Sequence, residues 1–215
     1  MNILAIDTCT EVCSVSLLSK QIKTSRFVKD VAKSSGLILP LCDEVLSEAG
    51  ISVSDLDQIV YTKGPGAFTG VRMCVGVVQG MSLAHDIPTM GFSTLEVVGY
   101  GATKKYQTDQ VAIALDARMG EVYWGVYENQ TLSQESLRKP EAVDQLNQDF
   151  IGVGAAWGAY QDALVLQSGI EKWHADFYPK AENLIDLFLA QPHAQDVGLP
   201  LPSYLRNNVA KKSLK

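Results

Sequence analysis

The sequence predicts an α/β protein of two similar domains, residues 1–102 and 103–215. Three observations carry this. A hairpin pattern opens the chain at 2–18 and returns at 111–127, with Asp116 falling on Asp7 and Glu121-Val122 on Glu11-Val12 after one inserted residue. A strand, a glycine-rich loop and a helix follow one another over 58–85. A polar stretch at 102–110 reads as the linker after which the pattern restarts. Repetition of one supersecondary pattern points to duplicated units of the same kind.

In the first hairpin an apolar strand (Ile3, Leu4, Ala5, Ile6) meets a polar turn led by Asp7. A second strand then alternates Ser14 and Ser16 with Cys13, Val15 and Leu17. A third strand is expected at 24–28. A helix capped by Ser34 or Ser35 follows, with Leu37, Ile38, Leu41, Cys42, Val45, Leu46 and Ala49 in one stripe and Gly50 as its stop. Pro40 costs that helix a hydrogen bond unless it falls in the first turn.

The strand 58–62 feeds the loop containing Gly64, Pro65, Gly66 and Gly70, and a helix capped by Thr69 runs to His85. Within it, Gly76, Gly80 and Ala84 form a ridge of very small residues. Each glycine costs about 1 kcal/mol of helix stability relative to alanine, so close approach of another element should offset it. That element is either the rest of the domain or a partner chain. Arg72 lies in the first turn, where a cation opposes the helix dipole, so an anionic partner or solvent should hold it. A short strand at 89–92 and a helix from Ser93, with Ser93 and Glu96 as a capping box, complete the first half. The second half continues with a strand at 131–137, a short helix from Pro140, a strand at 150–154, a Gly-Ala turn through Gly158 and a helix at 180–191.

With 215 residues, 47% hydrophobic and 20% charged, the chain has the composition of a globular protein with one large or two small cores. Asp7 and Glu11 interrupt the opening apolar run, and no transmembrane stretch follows, so a cytoplasmic protein is expected. Cys9, Cys13, Cys42 and Cys74 sit among apolar residues, as reduced buried thiols would; neither zinc nor a disulfide is expected. A net charge of −6 argues against a broad nucleic-acid footprint, although the tail 206–215 is locally basic.

Strand, glycine loop and helix in succession can present backbone N–H groups to an anion. The loop lacks the Gly-Lys-Ser/Thr of a P-loop, so its glycines serve either a phosphate or the turn alone. The candidates for a nucleotide contact are Asp7, Gly64, Gly66 and Asp116. For a partner surface they are Leu37, Leu41 and Val45 on the first helix, with Arg72, Met73, Gly76, Val77, Gly80 and Ala84 on the second. Both helices carry more apolar or small surface than one sheet face needs, so the free chain is expected to self-associate through them.

Ile6-Asp7-Thr8, GPGAFTGVR at 64–72, DARMGEVYWGVY at 116–127 and YLRNNVA at 204–210 resemble the TsaB (YeaZ) family, and the resemblance runs from end to end. It implies two domains of the actin/Hsp70/sugar-kinase (ribonuclease H-like) type, each a mixed sheet with helices. It also implies a non-catalytic partner of TsaD. With TsaD and TsaE, that partner helps transfer a threonylcarbamoyl group to the adenosine beside the anticodon of certain tRNAs. ATP and metal are then expected on the TsaD partner. TsaE and tRNA are reached through the complex, and the isolated chain is inactive and homodimeric. Ser34 and Ser35 stand where TsaD has metal-binding histidines, so no metal site is expected here. The alternatives are a small-molecule kinase of the same superfamily and a glycoprotease-like peptidase. His85, His174 and His193 lack metal-ligand spacing, and no nucleophile elbow is present.

Overall fold

The computed structural model describes residues 1–29, 36–190 and 199–206. Two five-stranded sheets follow one plan. In the first, β1 (Ile3–Asp7) pairs antiparallel with β2 (Val12–Ser19), which pairs antiparallel with β3 (Ile22–Lys29). On the other side of β1, β4 (Gln58–Thr62) and β5 (Thr89–Phe92) add in parallel. The second sheet repeats this with the hairpin β6 (Gln110–Asp116) and β7 (Val122–Glu128), then β8 (Thr131–Arg138) outside β7. The short parallel strands β9 (Ile151–Val153) and β10 (Trp173–His174) extend it beyond β6. The orders β3-β2-β1-β4-β5 and β8-β7-β6-β9-β10 correspond strand for strand, the duplicated ribonuclease H-like arrangement of the actin type. Asp7 and Asp116 each end the first strand of their sheet, as the hairpin alignment requires.

Three helical layers and the two sheets alternate, five layers in all. Along β1, Leu4 and Ile6 face α1 (Ile38–Ala49) and α2 (Phe68–His85), while Ile3 and Ala5 face α6 (Ala181–Ala190). The next helix, α3 (Thr94–Tyr106), lies between that layer and the second sheet, sending Val97 to one core and Leu95, Val98 and Ala102 to the other. The far face of the second sheet is covered by α4 (Ala156–Ala159) and α5 (Gln161–Ser168), with Trp124 and Trp157 buried there.

Several local expectations need correction. The stretch 102–110 is no linker: 102–106 finishes α3, and its polar residues look outward while Ala102 is fully buried. A cut after residue 102 therefore runs through α3, and α6, from the second half of the chain, packs on the first sheet. Thr69 is not a cap. The residue preceding α2 is Ala67, in extended conformation and without a side-chain cap. In α3, Ser93 does cap, accepting from the Leu95 N–H at 3.1 Å. The first helix begins at Ile38, which puts Pro40 in its first turn, where no hydrogen bond is lost. Ser34 and Ser35 lie outside the described residues. The sequence reading missed α5 and β10, because α5 buries only Leu164 and Ser168 and shows no clear stripe.

Since α6 closes the first sheet from the far end of the sequence, its core contacts should weigh on global stability. Leu184 is fully buried between α6 and β1, whereas Leu166 is 88% exposed. Leu184→Ala is expected to lose about 2–5 kcal/mol in urea unfolding, and Leu166→Ala less than about 0.5 kcal/mol.

Candidate functional site

The glycine loop meets the turn of the first hairpin at very short range. A Cβ on Gly66 would stand 2.0 Å from the Cys9 carbonyl oxygen, and one on Gly70 would stand 2.0 Å from that of Thr8. The Ala67 N–H donates to the Cys9 carbonyl at 2.7 Å, and the Thr8 hydroxyl donates to the Gly70 carbonyl at 2.8 Å. These glycines are needed because another backbone fills the space, so Gly66 faces protein and not an open anion site. Gly64, at φ +101°, is clamped from two further directions. The Thr94 N–H donates to its carbonyl at 2.9 Å, and the Ser203 carbonyl passes 2.6 Å from where its Cβ would be.

Ser203 belongs to a strap, residues 199–206, that joins the two halves. Its N–H donates to the Lys63 carbonyl at 2.7 Å, and Gln79 donates to the Pro200 carbonyl at 2.6 Å. Further along, Arg206 reaches the second hairpin's turn, donating to the Ala117 carbonyl at 3.0 Å and pairing with Glu121 at 2.7 Å. Sequence reasoning missed the strap, whose legible trace was Tyr204 and Arg206 in the YLRNNVA motif.

Asp7 and Asp116 are equivalent in topology and unlike in chemistry. Asp7 is fully buried; its Oδ1 accepts from the Cys9 N–H at 3.2 Å and from the Thr62 hydroxyl, while Oδ2 has no hydrogen-bond partner. Burial raises its pKa to about 7, against the opposing pull of Thr62 and the Cys9 N–H. Asp116 is partly exposed and held by Arg118, through its N–H at 2.8 Å and its guanidinium at 3.0 Å. The two carboxylates share no partner in these contacts. Around Asp7 the thiols are sealed: Cys9 donates to the Thr62 carbonyl and Cys74 to the Ile6 carbonyl, each at 3.4 Å, and burial pushes Cys13 up to about 12. Among the described residues no group of three His, Cys, Asp or Glu side chains stands at metal-binding distance.

The expected partner surface divides. Leu41 and Val45 are core residues at 6% and 0% exposure, and Leu37 packs on the same core. They are therefore not an outer surface. The outer face of α1 is instead acidic, with Asp43, Glu44 and Glu48; Arg26 on β3 pairs with the last two. On α2 the outer face is bare: Arg72, Gly76, Gly80 and Ala84 are exposed, with Met73 and Val77 half-buried beside them. Phe68 and Leu83, at 44% and 68% exposure, extend this face at both ends. Arg72 lies 3.7 Å over the Phe68 ring and donates to the Tyr204 hydroxyl at 3.0 Å, so aromatic groups hold it in place of the expected anion. Along one edge the strap adds Leu199, Leu201 and Tyr204, all exposed. This is a continuous apolar strip of a kind that soluble monomers rarely leave bare.

Comparison with known proteins places the chain beside one family. A family model described as TsaD, tRNA N6-adenosine threonylcarbamoyltransferase, matches residues 31–214. A tRNA threonylcarbamoyladenosine biosynthesis protein TsaB from Escherichia coli is 37% identical over 228 residues, spanning 100% of this chain and 98% of its own. The protein of the same name from Haemophilus influenzae is 32% identical, spanning 100% and 97%. Among solved structures, a Pseudomonas aeruginosa protein described as similar to peptidase YeaZ superposes with a TM-score of 0.85 at 34% identity, covering 95% of this chain and 99% of that one. The structure of YeaZ from the same organism gives 0.83 at 33%, with the same coverage.

The buried carboxyl gives a pH signature. Its folded pKa of about 7 lies above the ordinary 3.8, so ionisation opposes folding. That penalty is absent below about pH 4, grows as pH rises and is complete above about pH 7. Asp7→Asn is expected to unfold at higher denaturant than the unaltered chain at about pH 8, by ~2–4 kcal/mol, with the gap closing toward about pH 4.

Proposed function

The chain belongs to the TsaB (YeaZ) family, and from that premise we propose that it is the non-catalytic, partner-docking subunit of the machinery that makes threonylcarbamoyladenosine on tRNA. The observation that carries the docking role is the outer face of α2. Gly76 and Gly80 sit inside an 18-residue helix with nothing within 4 Å of where a Cβ would be. Nothing within the described chain requires glycine there, and each costs about 1 kcal/mol relative to alanine. A helix of another chain packed along Arg72, Gly76, Gly80 and Ala84 would use that room. Its core would be apolar and poor in charge, with Phe68 and Leu83 as the large contacts.

The partner in this reading is a TsaD-like protein, which carries the ATP, the metal and the chemistry. A TsaE-like ATPase and the tRNA join through that complex. Without its partner the chain pairs with itself through the same strip, so a heterodimer displaces a homodimer in the cytoplasm. The filled approach to Gly66 and Gly70, and the strap on Lys63, support a chain that does not turn over nucleotide itself.

Two substitutions at one position separate fold from docking. Gly80→Ala is expected to stabilise the free chain by about 1 kcal/mol, since the added methyl group meets no neighbour. Gly80→Leu is expected to leave the fold intact and to weaken association with the TsaD-like protein by at least about tenfold in sedimentation or calorimetry. Unchanged affinity of Gly80→Leu would place the partner elsewhere.

A further inference from the structure

A cleft of about 600 Å³ opens between β3, the end of α3 and α6, and its charge runs against that of the chain. Five lysines line it: Lys23 and Lys29 from β3, Lys104 and Lys105 from α3, and Lys180 at the start of α6. Three carboxylates answer them. Lys23 and Lys104 share Asp186, Lys29 pairs with Asp176 at 2.5 Å, and Lys180 lies 3.7 Å from Glu182. Lys105 has no carboxylate among these pairs and stands over the rings of Tyr106 and Phe177. The wall is thus left with two uncompensated positive charges, in a chain whose net charge is −6.

Some of these lysines have individual explanations. Lysines on an edge strand discourage sheet-to-sheet pairing, and lysines at a helix end favour its dipole. Neither explains their convergence on one cleft, nor what accompanies them. Asn183, only 9% exposed, lines the cleft, and its side-chain amide has no hydrogen-bond partner among the described residues. The amide is not among the sealed unpaired polar groups of the described residues, so it opens on the cleft with its donor and acceptor free for a ligand. Gly101 makes room for it, since a Cβ there would meet the Asn183 Nδ2 at 2.4 Å. Phe27, 42% exposed on β3 between Lys23 and Lys29, presents a bare aromatic ring to the same space.

We propose that this cleft binds a nucleoside phosphate, with phosphate on the lysines, the base against Phe27 and a polar edge of the ligand on the Asn183 amide. Cations, an aromatic platform and an amide that both donates and accepts are the groups by which proteins hold nucleotides and single-stranded RNA. The volume fits a small-molecule site. A free nucleotide and a nucleotide unit within single-stranded RNA share this chemistry, and the proposal is independent of the α2 docking face.

The test is equilibrium binding at low salt to the full chain, using three probes: ATP, a short fluorescein-labelled single-stranded RNA and inorganic pyrophosphate. ATP or the RNA is expected to bind saturably, and Lys29→Glu with Lys105→Glu to weaken that binding by at least about tenfold. Asn183→Ala should weaken the nucleotide-bearing probe and leave pyrophosphate unchanged. Binding of RNA without ATP assigns the site to a nucleic acid; binding of ATP assigns it to a free nucleotide. Should the double variant fold poorly, Lys105→Gln alone is expected to lower affinity while leaving the melting transition in place. No saturable binding, pyrophosphate binding alone, or equal affinity in the lysine variants would overturn the proposal. Association of the same variants with the TsaD-like protein is expected to be unchanged, so the two assignments fail separately.

Discussion

Everything around the first hairpin depends on the contact between its turn and the start of α2. The carbonyls of Thr8 and Cys9 occupy the space that side chains at Gly70 and Gly66 would need. Any larger residue there would drive the helix away from β1. The contact buries Asp7 completely, leaving one carboxyl oxygen unpaired, and that costs stability at neutral pH. It also sets the helix down with Cys74, Val75 and Val78 on the sheet. The helix is anchored at its start and along its inner face, and the strap meets its outer face at Arg72; at Gly76 and Gly80 that face has no neighbour within 4 Å of an added Cβ.

What that outer face carries follows from the anchoring. A helix fully used by its own domain would have filled the positions of Gly76 and Gly80 with better helix formers. Here they are empty, while Phe68, Leu83 and the strap's Leu201 supply apolar surface on either side. The strap meanwhile covers the loop at Lys63 and ties it to the second hairpin's turn through Arg206. The strap therefore links the start of the glycine loop to the turn of the second hairpin, while the outer face of α2 stays exposed.

Much of this was legible in the sequence, and the limits were physical. The hairpins, the alignment of Asp7 with Asp116, the strand Thr89–Phe92 and the small-residue ridge of α2 all have short-range signatures, and all are present. Periodicity alone could not say which face of an apolar helix is covered. Leu41 and Val45 looked like surplus surface and are core, because α1 is an ordinary amphipathic helix whose outer side is acidic. The layer of α3 and α6 was illegible for another reason: its contacts join residues far apart in sequence, such as the Ala181 N–H donating to Ser14. The strap and the lysine cleft have the same long-range origin. Lys23, Lys104 and Asp186 carry no shared pattern in the sequence, yet they converge in space.

The central claim is that the bare strip on α2 is the docking face for a TsaD-like partner. Hydrogen–deuterium exchange with and without that partner tests it most directly, because α2 amides near Gly76 and Gly80 are followed without altering the chain. The account predicts slowed exchange over 68–85 and over the strap at 199–206, with β8 and α5 unchanged. Protection confined to the second sheet and its helices, with α2 exchanging as in the free chain, would contradict it.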